Sequence, residues 1–320
     1  MKKRTVVFLI IGTVLFLVGG MIFVGAMSAM KWDFLKLDNR SFVTDIHVIN
    51  EEFDGISIIS DYTDVIILPS ENGECSVKCF EYEKARHTVG VKDGTLEISI
   101  ADERKWSDHI SVFNFKTPKI TVYLPENEYG RLYLKTGADI KVADGFTFES
   151  FEAESVSGDV ACQSSVGNVL RITVTSGDVA LKSITAGSLE VKTTSGDVLI
   201  SDIRVKKEAA VEVGSGDVMI RGAECDSLAL SGISSDVVLK DVVAAGRLSV
   251  KTVSGDVELE GIDGEYISIK ATSGDVEGYV YTDKTFVCKT TSGDCEYPKT
   301  SGGICEIETT SGDIEISIRK

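Results

Sequence analysis

The chain is patterned by an alternation of apolar and polar positions that restarts every 19 or 20 residues. In the stretch Leu189 to Ile203, Leu189, Val191 and Thr193 alternate with Glu190, Lys192 and Thr194, and Val198 and Ile200 follow as a second apolar pair. Alternation with period two predicts short strands with one buried face. Between the two halves stands Ser195-Gly196-Asp197, which is turn chemistry: glycine permits positive φ, and Asp or Ser accepts bonds from nearby backbone N–H groups. The phrase Ser-Gly-Asp-Val recurs at Ser157, Ser176, Ser195, Ser215, Ser254 and Ser273, with variants ending at Asp139, Asp236, Asp294 and Asp313. From Asp139 to Asp294 the mean step is about 19.4 residues. A fixed period of this size predicts stacked identical units.

Aligned on Asp, the repeats form apolar columns. Six residues earlier stand Tyr133, Ala153, Ile172, Val191 and their successors to Ile307; one residue later stand Ile140, Val160, Val179, Val198 and their successors to Ile314. Like residues above one another at about 4.8 Å imply parallel coils, and ten coils make a rod of roughly 50 Å. The predicted fold is all-β, a right-handed parallel β-solenoid of 19–20-residue coils over 131–320. Residues 41–130 are strand-rich but irregular and are expected to cap the N-terminal end of the stack. Strands are expected around Ile56–Ile58, Val65–Leu68, Val89–Val91, Leu96–Ile98 and Ile120–Leu124, and hairpin turns at Asn72-Gly73 and Asp93-Gly94. Ala101 to Lys116, with Trp106, Asp108, His109 and Phe113, breaks the pattern and reads as a long loop.

The first thirty residues follow another rule. After the basic tail 1–4, Thr5 to Met30 runs 26 residues without a charge. As a helix this is roughly 39 Å, enough to span a bilayer core of about 30 Å. It exceeds the apolar stretch of a cleavable signal peptide, so an uncleaved transmembrane helix over 5–30 is expected, although Ala26, Ser28 and Ala29 resemble a cleavage site. Lys2, Lys3 and Arg4 favour a cytoplasmic N-terminus, a single pass through the cell membrane and an extracytoplasmic body joined by a linker at 31–40. Trp32, Phe34 and Leu35 are then interfacial anchors.

Charge narrows the partners. Three of the 33 Lys and Arg precede the span and all 50 Asp and Glu follow it, so the body carries a formal charge of −20. That excludes nucleic acid as a natural partner. Cell-wall polymer, a membrane-protein partner or a second copy of the chain stay open. The Asp ladder, Asp159, Asp178, Asp197, Asp217, Asp236, Asp256, Asp275, Asp294 and Asp313, offers hard oxygen ligands of the kind Ca²⁺ takes. The competing reading is a turn in which each Asp accepts nearby backbone N–H bonds. No other cofactor is implied. The seven cysteines show no metal spacing. Cys162, Cys288 and Cys295 occupy apolar columns and read as buried small hydrophobes, and Cys75 and Cys79 lie too far apart along an extended strand to bridge.

The basic start, the single span, the Ile120-Thr121-Val122-Tyr123-Leu124-Pro125 stretch and the Ser-Gly-Asp-Val ladder resemble the bacterial adhesin-like family of β-strand-repeat envelope proteins, LiaG-like members included. The resemblance spans residues 40–320. It implies a non-catalytic cell-envelope protein, a binding or scaffold module, and an association with envelope stress. It carries no catalytic residues to this chain. The residues agree: His47, His87 and His109 precede the ladder without HExxH or GxSxG, and the turns of three to six residues are too short to wall a catalytic groove.

Overall fold

The computed structural model describes residues 3–29, 31–32, 41–102 and 116–319. One helix, α1 (Lys3–Ala29), precedes the strands; over Gly12–Ala29 its mean hydropathy is 1.9, and it is long and apolar enough to cross a membrane. Trp32 is exposed, whereas Phe34 and Leu35 lie outside the described residues.

Seven strands come first: β1 (Phe42–Ile49), β2 (Gly55–Ile59), β3 (Asp64–Pro69), β4 (Cys75–Tyr82), β5 (Ala85–Lys92), β6 (Thr95–Asp102) and β7 (Lys119–Leu124). Then come β8 (Glu128–Thr136), β9 (Ile140–Val142), β10 (Thr147–Ser155), β11 (Val160–Cys162), β12 (Ser165–Ser176), β13 (Val179–Lys182) and β14 (Thr185–Ser195). Four long strands bend around a corner: β15 (Val198–Ser215), β16 (Val218–Ser234), β17 (Val237–Ser254) and β18 (Val257–Ser273). The series closes with β19 (Val276–Val280), β20 (Lys284–Lys289), β21 (Cys295–Glu296), β22 (Gly303–Glu308) and β23 (Ile314–Ile318).

From β8 to β19 successive coils pair in parallel, residue on residue, as Val160↔Val179, Val179↔Val198 and Val198↔Val218 show. The architecture is a parallel β-solenoid, and the apolar columns form its core. Val160, Val218, Val237, Val257 and Val276 are all fully buried. One column needs correction. The partner of Ala153 is Leu134, not Tyr133. The turn before Asp139 is one residue shorter, so Tyr133 faces outward and bonds Glu154 at 3.1 Å.

The step of 19 or 20 has more than one cause: the shortened turn before Asp139 makes the step to Asp159 20, and later coils differ at a corner. Register shifts stack at one corner, between Phe148/Phe151, Val166/Val169, Ala186/Leu189, Val205/Glu208, Cys225/Leu228 and Ala244/Arg247. In the 20-residue coils that end at Asp217 and Asp256 the extra residue is absorbed there as a bulge, which leaves their Ser-Gly-Asp arcs undisturbed.

Both ends depart from chain order. Residues 41–130, read as an irregular cap, contribute to the stack itself. β2 pairs in parallel with β8, and β3 with β9, so residues 55–69 form a coil. β6 and β7 pair in parallel with the other edges of β2 and β3, forming a further coil outside it. Only then do antiparallel strands take over: β5 beside β6, and β4 then β1 beside β7. Asp93-Gly94 is the expected two-residue hairpin, both residues at positive φ. Asn72-Gly73 is not one, because β7 lies between β3 and β4. Of the expected loop at Ala101 to Lys116, Ala101 and Asp102 instead complete β6; 103–115, with Trp106, Asp108, His109 and Phe113, lie outside the described residues.

At the other end the last coil in sequence is not the last in space. β22 pairs with β18 on one side and β20 on the other; β23 lies between β19 and β21. The outermost coil is therefore β20–β21, which also carries Pro298 beyond its second strand.

Candidate functional site

The repeated arc sets the geometry of the ladder. Gly177, Gly196, Gly216, Gly255 and Gly274 hold φ between 131° and 150°, where L-residues are strained. Crowding adds a second reason: a Cβ on Gly196 would lie 2.0 Å from the Gly177 carbonyl oxygen. Each glycine thereby lets coils approach while the arc presents the following Asp to its neighbour.

The Asp residues form a continuous zipper between coils. The Asp178 amide donates to Asp159 Oδ1 at 2.8 Å, Asp197 to Asp178 at 2.8 Å, Asp217 to Asp197 at 2.8 Å and Asp236 to Asp217 at 3.3 Å. Asp256 donates to Asp236 at 2.9 Å and Asp275 to Asp256 at 2.8 Å. The permuted end continues it: Asp313 donates to Asp275 and Asp294 to Asp313, both at 2.8 Å. The bonded amide thus belongs to the next coil, not to the carboxylate's own turn. All nine predicted Asp residues come together in this row and all are exposed.

The row has two further members: Asp139, read in the sequence as a repeat variant, and Asp64, which the sequence did not mark. The Asp159 amide bonds Asp139, and the Asp139 amide bonds the Asp64 carboxylate, so the row begins one coil earlier. Tyr62-Thr63-Asp64-Val65 lacks the Ser-Gly pair that marks the other arcs. Burial and the Asp139 charge push the Asp64 carboxyl above its ordinary range, and Lys119, 3.8 Å away, opposes them. A cation thus closes this end of the zipper, whereas the other end stops at Asp294.

Two outer faces flank the core. One carries a lattice of exposed ion pairs: Arg131–Glu152 at 3.0 Å, Lys135–Glu154 at 2.6 Å, Arg171–Glu190 at 2.8 Å and Lys192–Glu212 at 3.4 Å. The Arg171 hydrogen bond holds the Glu190 carboxyl below its ordinary range; Lys135 does the same for Glu154. Near the permuted end Glu308 sits between Lys270 at 3.2 Å and Lys289 at 3.3 Å. The opposite face changes character along the rod. Its outward column reads Ala161, Ala180, Leu199, Met219 and Val238, then Glu258, Glu277, Glu315 and Glu296.

Buried chemistry is concentrated elsewhere, between β4 and β5. His87 Nδ1 lies 2.6 Å from Glu81 Oε2 and His87 Nε2 lies 2.9 Å from Ser60 Oγ. The histidine that lacks a sequence motif therefore has two polar partners. Glu81 precedes it by only six residues, but the intervening turn matches no spacing rule. His47 lies half-buried on β1, and His109 is outside the described residues.

All seven cysteines are free thiols. Cys162 is buried as expected, and burial pushes its thiol up to about 12. Cys288 is only half-buried and Cys295 is exposed, because the outermost coil has nothing stacked beyond it. Cys75 and Cys79 share the inner face of β4 and are not bridged.

Several solved structures are similar to the chain. A candidate adhesin of Parabacteroides distasonis is 12% identical over 87% of this chain and 98% of its own, with a TM-score of 0.47. A candidate lipid-binding protein of the same organism is 18% identical over 75% of this chain and 97% of its own, at 0.45. A candidate adhesin of Bacteroides fragilis is 16% identical over 87% and 97%, at 0.37. No curated protein matches. A family-level match covers the coils themselves, from the first strands of the stack to its permuted end: over residues 53–228 and 206–320 the sequence fits Toastrack DUF4097, and the chain belongs to that family.

Proposed function

We propose that this protein is a non-catalytic, membrane-anchored binding or scaffold module of the cell envelope, with its solenoid body outside the membrane. The observation that carries the reading is the ion-pair face, on which Arg, Lys and Glu side chains recur at the spacing of the coils. Such a surface presents many equivalent weak contacts in register, which suits an extended repetitive polymer better than a small molecule. Cell-wall polymer is the partner of this kind that the envelope offers, and the family's adhesin-like members fit it. The anchor holds the rod at the membrane; its basic tail sets the orientation. A role in envelope stress would act through the same face.

Full-length protein in detergent micelles, mixed with isolated cell envelopes with and without Ca²⁺, tests this. Saturable binding to wall material is expected. Loss of binding on chelation would make the Asp zipper a cation site as well; binding to membrane fractions alone would overturn the polymer reading.

A second reading has its own observation. The β20–β21 coil ends the stack with open strand edges, and such edges pair readily with another chain. A second copy docking there would turn the module into a self-assembling element, visible as a concentration-dependent change in mass.

A further inference from the structure

The inner face of β4 alternates Cys75, Val77, Cys79 and Glu81, and that of β5 begins Ala85 and His87. On one side β7 sets Val122 and Ile120 beside Val77 and Cys79; on the other β1 sets His47 and Asp45 beside them. At the turn that joins β4 and β5, Cys79, Glu81 and His87 are all buried, and a sulfur, a carboxylate oxygen and a ring nitrogen lie within 4.8 Å of one another. Burying a carboxylate in such surroundings costs several kcal/mol unless a positive group or a dense set of donors meets it. Glu81 Oε2 receives the His87 backbone N–H at 2.8 Å and faces His87 Nδ1 at 2.6 Å. The other ring nitrogen, Nε2, is held by Ser60 Oγ at 2.9 Å.

We infer that Cys79, Glu81 and His87 form a binding site for a thiophilic divalent transition-metal ion of the zinc class. The donor set is the one such ions select: thiolate, imidazole and carboxylate. Two anionic ligands and one neutral ligand cancel the charge of a divalent ion, so the filled site is neutral, and Arg86 meets the neighbouring Asp45 at 3.2 Å. Nδ1 is the ligating nitrogen, because it is the one turned toward Glu81. The Nε2–H then donates to Ser60, which fixes the tautomer and ring orientation as an outer-shell partner does. Three protein ligands leave a fourth tetrahedral position for water.

Binding displaces a proton. The Cys79 S–H bond breaks, the proton passes to solvent and the sulfur lone pair forms the metal bond. Because that proton is released, affinity rises with pH. The site ties β4, on one face of the solenoid, to β5, on the other. It fills during folding because the finished site is closed.

The test uses the full chain in detergent micelles, unfolded in chelator and refolded with Co²⁺ or Zn²⁺. One tightly held ion per chain is expected. With cobalt, a near-ultraviolet thiolate-to-metal band should appear, vanish in Cys79→Ser and persist in Cys295→Ser, the control for the exposed thiol at the far end. In His87→Ala the ligand-field bands should weaken. Refolded wild-type protein without a stoichiometric ion overturns the proposal whether or not the variants fold. A band unchanged in Cys79→Ser also overturns it.

Discussion

The two ends of the rod solve the same problem differently. At the N-terminal end antiparallel strands extend both faces beyond the outermost parallel coil, Arg86 on β5 pairs with Asp45 on β1 at 3.2 Å, and Lys119 meets the first zipper carboxylate. At the C-terminal end, among the described residues, no strand pairs beyond β20–β21. The same columns show the consequence. Val276 and Ile269 are fully buried in an inner coil; their counterparts in the outermost coil, Cys295 and Cys288, are exposed and half-buried. A repeat phrase thus specifies a conformation, while its environment depends on whether a neighbour is stacked on each side.

Paired substitutions can break this comparison. The largest difference is expected at the arc glycines. Gly196→Ala forces a Cβ against the Gly177 carbonyl between two fixed coils and should cost about 3 kcal/mol or more. Gly293→Ala meets the Gly312 carbonyl at 2.2 Å, but its coil is free on one side and can shift, so the loss should be less than half as great. Denaturant unfolding reads both; equal losses would mean that the outermost coil is as constrained as the interior. Truncating the column below the arc comes next. Val198→Ala should cost about 2–3 kcal/mol and Cys295→Ala about 0.5 kcal/mol or less.

The zipper gives a smaller contrast. Asp197→Ala leaves the Asp217 amide without its carboxylate and should cost about 1–2 kcal/mol. Asp294→Ala removes the last acceptor of the row and should change stability by under about 0.5 kcal/mol. A comparable loss at both positions would show that the Asp side chains serve something other than the coil-to-coil bond. Thr193→Val is expected to stabilise by up to about 1 kcal/mol: the buried Thr193 hydroxyl has no partner, and Val174 and Val213 occupy its column on either side. Acid sharpens the comparison for the ion-pair face. Glu154, Glu190 and Glu308 have carboxyls held below their ordinary range by Lys135, by Arg171 and by Lys270 with Lys289. Their stabilisation is complete above the unfolded carboxylate range and is lost as pH falls through the depressed folded values. Melting temperature should therefore fall slightly on acidification below about pH 4. The fall should shrink in Arg171→Ala.

Which residues stack was largely legible in the sequence, since period-two alternation and the Ser-Gly-Asp arc define columns without reference to anything distant. The order of stacking was not. Ile307 and Cys288 are interchangeable as apolar column members, so nothing in the pattern places β22 inside β20. Charge holds the one clue: in chain order Lys270 would face Lys289, and the permutation puts Glu308 between them. The shortened turn before Asp139 hid Leu134 behind Tyr133 for a similar reason, as an alignment on one residue cannot see a deletion beside it. The Glu81–His87 pair was illegible because its polar groups meet across two faces, where no sequence period applies.

The slotted coil also sets a timetable. Residues 284–296 are synthesised before 303–318, yet they have no edge to pair with until the later segment has docked on β18 and β19. During synthesis the half-built rod must hold a place open, with Phe286 and Cys288 waiting in solution for a stretch of chain not yet delivered. The interval between the emergence of residue 296 and of residue 318 is then the period in which a growing molecule is most exposed to proteases and to its neighbours. Pulse-labelled chains caught in that interval should be cut within 284–300, and completed chains should not.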